Sequence, residues 1–207
     1  MPITITETPA IPSPLAPPRK RWTRYECEQL AATGLLDMEP LELIEGELID
    51  KMGKNRFHVF IAGKLGDVMK KLFGENFVQS AAPIDLSPED NPGSQPEPDV
   101  CVLNRSLEEF QTKNPTPTDI VLLAEVSDTT LQFDRTTKAR LYARAGIIEY
   151  WIIDVNSRQL IVHRSPVEGL YTSVAAYEEN EPIAPLAAPG AEFRTATVLP
   201  KLSSVQV

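Results

Sequence analysis

Between residues 55 and 73 the apolar positions Phe57, Phe60, Ile61, Leu65, Val68, Met69 and Leu72 recur at the spacing of one helix face, and Gly74 follows as a stop. A shorter helix is expected upstream. "TRYECEQLAATG" opens on Thr23 with Glu26 three residues later, a capping box, and closes on Gly34. "LELIEGELIDKMG" holds two short apolar runs about Glu45–Gly46 and reads as a hairpin. Downstream, "FVQSAAPIDL", "VCVL", "IVLLAEVS", "IEYWIIDV", "QLIVHRS" and "GLYTSVAAY" have strand length and apolar content. A short helix is expected near "SLEEF", and another over 134–145, ended by Gly146. "EYWIIDVNSRQLIVHR" reads as a hairpin turning at Asn156–Ser157. Helices interleaved with strands, followed by strands in hairpins, predict an α/β (α+β) fold, one mixed central sheet flanked by helices.

Composition adds boundaries. Residues 1–20 contain six prolines and no periodic pattern, which predicts a disordered or extended arm. Residues 21–177 then form one domain, and 178–207 a Pro- and Ala-rich C-terminal extension with no functional signal. The net charge of −9 argues against a protein that coats nucleic acid indiscriminately, because phosphate binding is driven by Lys and Arg; a local basic groove stays open. No apolar run approaches the roughly 20 residues of a membrane helix, and the N-terminus lacks the charged-then-apolar order of a signal peptide. Cys27 and Cys101 have neither metal-ligand spacing nor a disulfide framework. A cytoplasmic protein without a membrane partner is the expectation.

Two carboxylates stand where apolar residues belong. Asp99 sits at the threshold of the run "VCVL", and Glu125 lies inside "DIVLLAEVSD". A carboxylate buried unpaired costs several kcal/mol, so each needs a partner, a proton or a cation. Either alone reads most simply as a loop cap or as the partner of a structural Arg. Together they suggest a shared site, in which two like charges repel unless a cation lies between them. Magnesium suits, since it takes oxygen ligands, one or two of them carboxylates, and keeps several waters. On the 134–145 helix, Lys138 falls on the apolar stripe of Leu141, Tyr142 and Ala145, so it faces the sheet and either meets that carboxylate cluster or snorkels to water. Tyr142, Tyr150 and Trp151 read as packing residues, and Asp154 could cap the following turn.

"ELIEGEL", "EPDV", "LLAEVSD" and "DRTTKARLYARAGIIEYWIID" resemble the Uma-type restriction endonucleases of the PD-(D/E)XK nuclease superfamily, over about residues 22–165. The resemblance implies a restriction-endonuclease-like fold, with Asp99 and Glu125 as catalytic metal ligands for Mg²⁺ (or Mn²⁺). The superfamily lysine two residues after the second acid is replaced by Ser127, and Lys138 on the following helix is its natural substitute. Glu47 and His58 are possible accessory residues. The implied activity is metal-dependent hydrolysis of DNA phosphodiester bonds; the alternative is a non-catalytic binding or assembly module that keeps the fold. DNA binding is expected to be weak and salt-sensitive, with Lys51, Lys54, Arg56, Arg135 and Arg140 as backbone contacts, and a homodimer would suit two cuts.

Overall fold

A computed structural model describes residues 19–34, 41–51 and 56–201 of the 207. The expected arm over residues 1–20 lies almost wholly outside the described residues, as does Lys54. The capping box holds: Thr23 Oγ1 accepts from the Glu26 amide, and helix α1 runs Arg24–Ala31. Strands β1 (Leu41–Ile44) and β2 (Glu47–Asp50) pair as the predicted hairpin. Its two turn residues, Glu45 and Gly46, both have positive φ, at 49° and 78°, the turn whose twist matches a two-residue loop. Gly46 is required twice over, because a Cβ there would meet the Arg21 side chain at 2.9 Å.

Helix α2 spans Arg56–Phe73. Six strands then build the main sheet in chain order: β3 (Val78–Gln79), β4 (Val100–Leu103), β5 (Ile120–Ser127), β6 (Glu149–Asp154), β7 (Gln159–Val167) and β8 (Leu170–Glu178). Every neighbouring pair is antiparallel except β5 and β6. Parallel neighbours cannot be joined by a tight turn, and the chain between them supplies a helical crossover: α3 (Leu131–Phe133), a π turn (Asp134–Lys138) and α4 (Ala139–Arg144). The helix thus begins three residues before the expected start, and its middle is wound wider than an α-helix.

The strand alternation sorts side chains into two cores. Val100, Val102, Leu122, Ala124, Val126, Trp151 and Ile153 face α2 through Ile61, Leu65 and Met69. Cys101, Leu103, Leu123, Tyr150 and Ile152 face α4 through Ala139, Leu141 and Tyr142. Helices on both sides of a mixed sheet are the architecture anticipated from the element order. Residues beyond β8, set apart in sequence as an extension, return to the first core with Phe193, Val198 and Leu199. "FVQSAAPIDL" yields only the two-residue β3: Ala81 turns the chain at a φ of 48°, and Pro83 has no amide to donate. "SLEEF" forms a 3₁₀ turn, Leu107–Phe110. Among the described residues no helix is long and apolar enough to cross a membrane.

Candidate active site

Odd-numbered residues of β5 point toward α4, so Leu123, Glu125 and Ser127 share that face, and extending the alternation of β4 adds Asp99 to it. The β4–β5 ladder pairs Val100 with Ala124, which sets Asp99 opposite Glu125. The Asp99 amide donates to Glu125 Oε2 at 3.4 Å, and Asp99 Oδ2 accepts from the Val126 amide at 2.9 Å. His58, at the start of α2, places Nε2 3.0 Å from Asp99 Oδ1. Three elements distant in sequence therefore meet at one carboxylate.

Glu125 Oε1 accepts from Lys138 Nζ and from the Tyr142 hydroxyl, each at 2.9 Å. Lys138 and Tyr142 are four residues apart on the crossover helix and reach the same oxygen. The ammonium has a second partner, Glu42 of β1, at 3.0 Å. The other oxygen of Glu42 accepts from the Glu97 amide at 2.8 Å, which ties the hairpin to the loop before β4. Asp99 and Glu125 are each 5% exposed, Lys138 6% and Glu42 4%. Lys138 does not snorkel.

One turn earlier, Asp134 Oδ2 accepts from Ser127 Oγ and Thr130 Oγ1, both at 2.6 Å. Ser127, in the slot of the superfamily lysine, is thus the anchor of the helix start. The Asp134 carbonyl accepts from the Ala139 amide, five residues on, and from the Tyr150 hydroxyl at 3.3 Å. This five-residue bond is the π turn, a feature that concentrates at functional sites in helices.

The cluster holds more carboxylates than cations. Burial, opposed by Lys138 and reinforced by the negative charges of Asp99, Asp134 and Glu42, pushes the Glu125 carboxyl up to about 8. Burial also raises the Asp134 carboxyl. Burial disfavours the charge on Lys138, but Glu125, Glu42 and Asp134 overcome it and hold the ammonium protonated. Among the described residues Glu42 and Glu125 share the Lys138 ammonium, and like charges this close favour a proton or a cation between them. These groups line a cavity of about 300 Å³, bounded also by Asp50, Glu97 and Asp128.

Other buried acids show what a purely structural carboxylate looks like here. Glu149 is met by Arg164 at 2.5 Å, Trp151 Nε1 at 2.9 Å and the Leu186 amide at 2.8 Å. Asp119 is held by Arg105 and by the amide and hydroxyl of Thr116. Neither lines the cavity.

The structure brings together Asp99, Glu125, Lys138 and His58. It does not bring Glu47 to them: that side chain pairs with Arg21 at 3.0 Å, is 42% exposed and does not line the cavity. The hairpin acid at the site is Glu42, which the sequence reading passed over. The signal was present, since Glu42 interrupts "LELI" as Glu125 interrupts "LLAEVS". Tyr142 is a packing residue as expected, and its hydroxyl additionally holds Glu125. Asp154 caps its turn, accepting from the amides of Asn156 and Ser157. Among the described residues, three of the expected backbone cations divide between two concavities. Lys51 is paired with Glu97, and Arg135 and Arg140 line a separate cleft.

A donor set of two buried carboxylates on adjacent strands fits a hard divalent ion that takes one or two protein oxygens and completes its shell with water. Among the described residues no group of three or more His, Cys, Asp or Glu is placed to hold a metal by itself.

Comparison with known proteins bears on the fold and the family. No curated protein matches the chain. Among solved structures, a protein of Anabaena variabilis ATCC 29413 described as a "putative nuclease belonging to DUF820" is similar in fold, with a TM-score of 0.59. The two share 15% identity, and the match covers 76% of this chain and 88% of that one. The model of the Uma2 family, described as "Putative restriction endonuclease", matches residues 26–198. With most of its length inside that match, the chain belongs to the Uma2 family.

Proposed function

We propose that this protein is a metal-dependent endonuclease that hydrolyses DNA phosphodiester bonds, with Asp99 and Glu125 as ligands of Mg²⁺ or Mn²⁺ and Lys138 as the catalytic cation. The observation that carries the reading is the Asp99–Glu125 pair opposite each other across a ladder, with a buried ammonium 2.9 Å from the second acid. A divalent ion bound there supplies Lewis-acid stabilisation of phosphoryl charge and acidifies water.

The protein's own groups supply the rest. Main-chain bonds and His58 fix Asp99, whose two carboxylate oxygens carry four lone pairs between them. Tyr142 and Lys138 both engage Glu125 Oε1 and hold the carboxylate in one rotamer. The ammonium of Lys138 is preorganised by Glu42 and Glu125, so it meets developing phosphoryl charge without reorganising. A phosphodiester does not enter so acidic a cavity unaided. That makes a divalent ion a condition of substrate binding as well as of chemistry.

The test is nicking of supercoiled plasmid with Mg²⁺ and with Mn²⁺ by the wild type, Asp99→Asn and Glu125→Gln. Metal-dependent nicking lost in both variants supports the reading. Folded wild-type protein that nicks no DNA with either ion across a range of substrates sinks it and leaves the non-catalytic module, for which the closed Lys138 ion pair is the favouring observation.

A further inference from the structure

The far side of the crossover helix carries a second concavity. A cleft of about 380 Å³ opens between that helix and the β7–β8 hairpin, lined by Arg135, Arg140, His163, Leu170, Tyr171 and Val174 among others. It shares no lining residue with the acidic cavity.

Three observations at this cleft lack a partner. Arg24, Arg105, Arg144, Arg158 and Arg164 each meet a carboxylate; Arg135 and Arg140 are exposed and, among the described residues, enter no ion pair. Two guanidiniums on one cleft repel unless an anion lies between them. Next, His163 is 4% exposed, and its Nδ1 is the single buried side-chain nitrogen or oxygen among the described residues without a hydrogen bond. Such a group costs stability and points to a polar partner outside the chain. Lastly, Leu170 and Val174 are 58% and 52% exposed, an apolar wall beside the cations.

We propose that this cleft binds a nucleotide, its phosphate held by Arg135, Arg140 and His163 and its base or sugar laid against Leu170 and Val174. Guanidinium groups match phosphate oxygens bidentately, and a proton on Nδ1 makes the imidazole a further donor. Phosphate alone would satisfy the cations and leave the apolar wall bare; a nucleotide covers both. Burial and the nearby Arg135 push the His163 imidazole down to about 4, so the ring is neutral, and a phosphate bound beside it would favour uptake of a proton from solvent. The site does not depend on cleavage at the first one. Its ligand is either a free mononucleotide or a nucleotide unit of a DNA strand.

Calorimetry in EDTA, where metal-dependent chemistry is silent, separates these. The probes are inorganic phosphate, deoxyadenosine monophosphate and a 5′-phosphorylated single-stranded oligonucleotide, titrated into wild-type protein and Arg135→Gln/Arg140→Gln. The expected result is a monophosphate that binds more tightly than inorganic phosphate, loses at least about tenfold in affinity in the double variant, and shifts the ¹⁵N resonance of His163 Nδ1. An oligonucleotide that binds more tightly still assigns the cleft to a strand; one that binds no better assigns it to a free nucleotide. Both substitutions are at exposed positions, so the fold is retained and checked by circular dichroism. No monophosphate binding, affinity unchanged in the double variant, or an unmoved His163 resonance (a water as the sole occupant) overturns the proposal.

Discussion

Asp99 lies directly across the β4–β5 ladder from Glu125, its amide donating to Glu125 Oε2 at 3.4 Å while its own carboxylate accepts from Val126. The separation of the two acids is therefore set by main-chain pairing, not by a flexible counter-ion. Substitutions that keep shape and remove charge isolate the electrostatic role.

Asp99→Asn and Glu125→Gln should each weaken Mg²⁺ binding at least about tenfold, because each removes one anionic oxygen ligand. Calorimetry at pH 8 measures it. Mg²⁺ affinity intact in the double variant would show that the ion binds elsewhere.

The Glu125 carboxyl, pushed up to about 8 in the folded protein, has a folded value above its unfolded one. Its contribution to stability is fully present below about pH 4.3 and is lost as pH rises through about 8. Metal-free wild type should thus lose urea resistance between those limits relative to Glu125→Gln. Adding Mg²⁺ at pH 7 should release protons, seen as a heat that depends on the buffer's ionisation enthalpy. Parallel urea midpoints for the two proteins across that window would refute the buried, crowded state of Glu125.

Lys138→Met should lower kcat by the equivalent of about 3–4 kcal/mol, the cost of one charge-stabilising donor, while retaining Mg²⁺ affinity. Placing a lysine at position 127 should not rescue it. Ser127 is fully buried and its hydroxyl anchors Asp134 at 2.6 Å, so Ser127→Lys loses that bond and overfills the site. Recovery of nicking in Lys138→Met/Ser127→Lys would show that the slot has room.

Glu42 and Glu47 belong to one hairpin and predict opposite outcomes. Glu42→Gln removes a partner of Lys138 at 3.0 Å and should cut activity about tenfold or more, an effect of mispositioning. Glu47→Gln breaks an exposed pair worth about 0.2–1 kcal/mol and should leave activity unchanged. Equal activity in the two variants would remove Glu42 from the site.

DNA affinity should be low and fall steeply with salt, since the protein carries a net charge of −9 and binds through few cations. Fluorescence anisotropy with Ca²⁺ in place of Mg²⁺ would follow binding without turnover. Tight binding in EDTA that is indifferent to salt would contradict this.

Much of the frame was legible because it rests on periodicity. The stripe of α2, the capping box at Thr23 and the β6–β7 hairpin each follow from local spacing. The acids at 99 and 125 were legible as charges at the edge of, or inside, apolar runs. Glu42 was missed because "LELI" is too short for one charge to stand out against the background. Tyr142 showed its apolar body but not its hydroxyl's partner, which comes from a strand seventeen residues away. Phe193, Val198 and Leu199 have no regular spacing, so their return to the core follows only from the completed sheet.

The π turn at Asp134–Lys138 has a consequence for chain length. A π turn holds one residue more than the helix needs, so deleting Thr137 would heal the backbone into a regular α-helix with ordinary hydrogen bonds. The same deletion would swing the segment before it by about 100° relative to the segment after. Asp134 would then leave Ser127 and Thr130, or Lys138 and Tyr142 would leave Glu125. The surplus residue works as a phase offset between two docking points on one rod, which makes this stretch tolerant of changes in side chain at Thr137 and intolerant of a change in count.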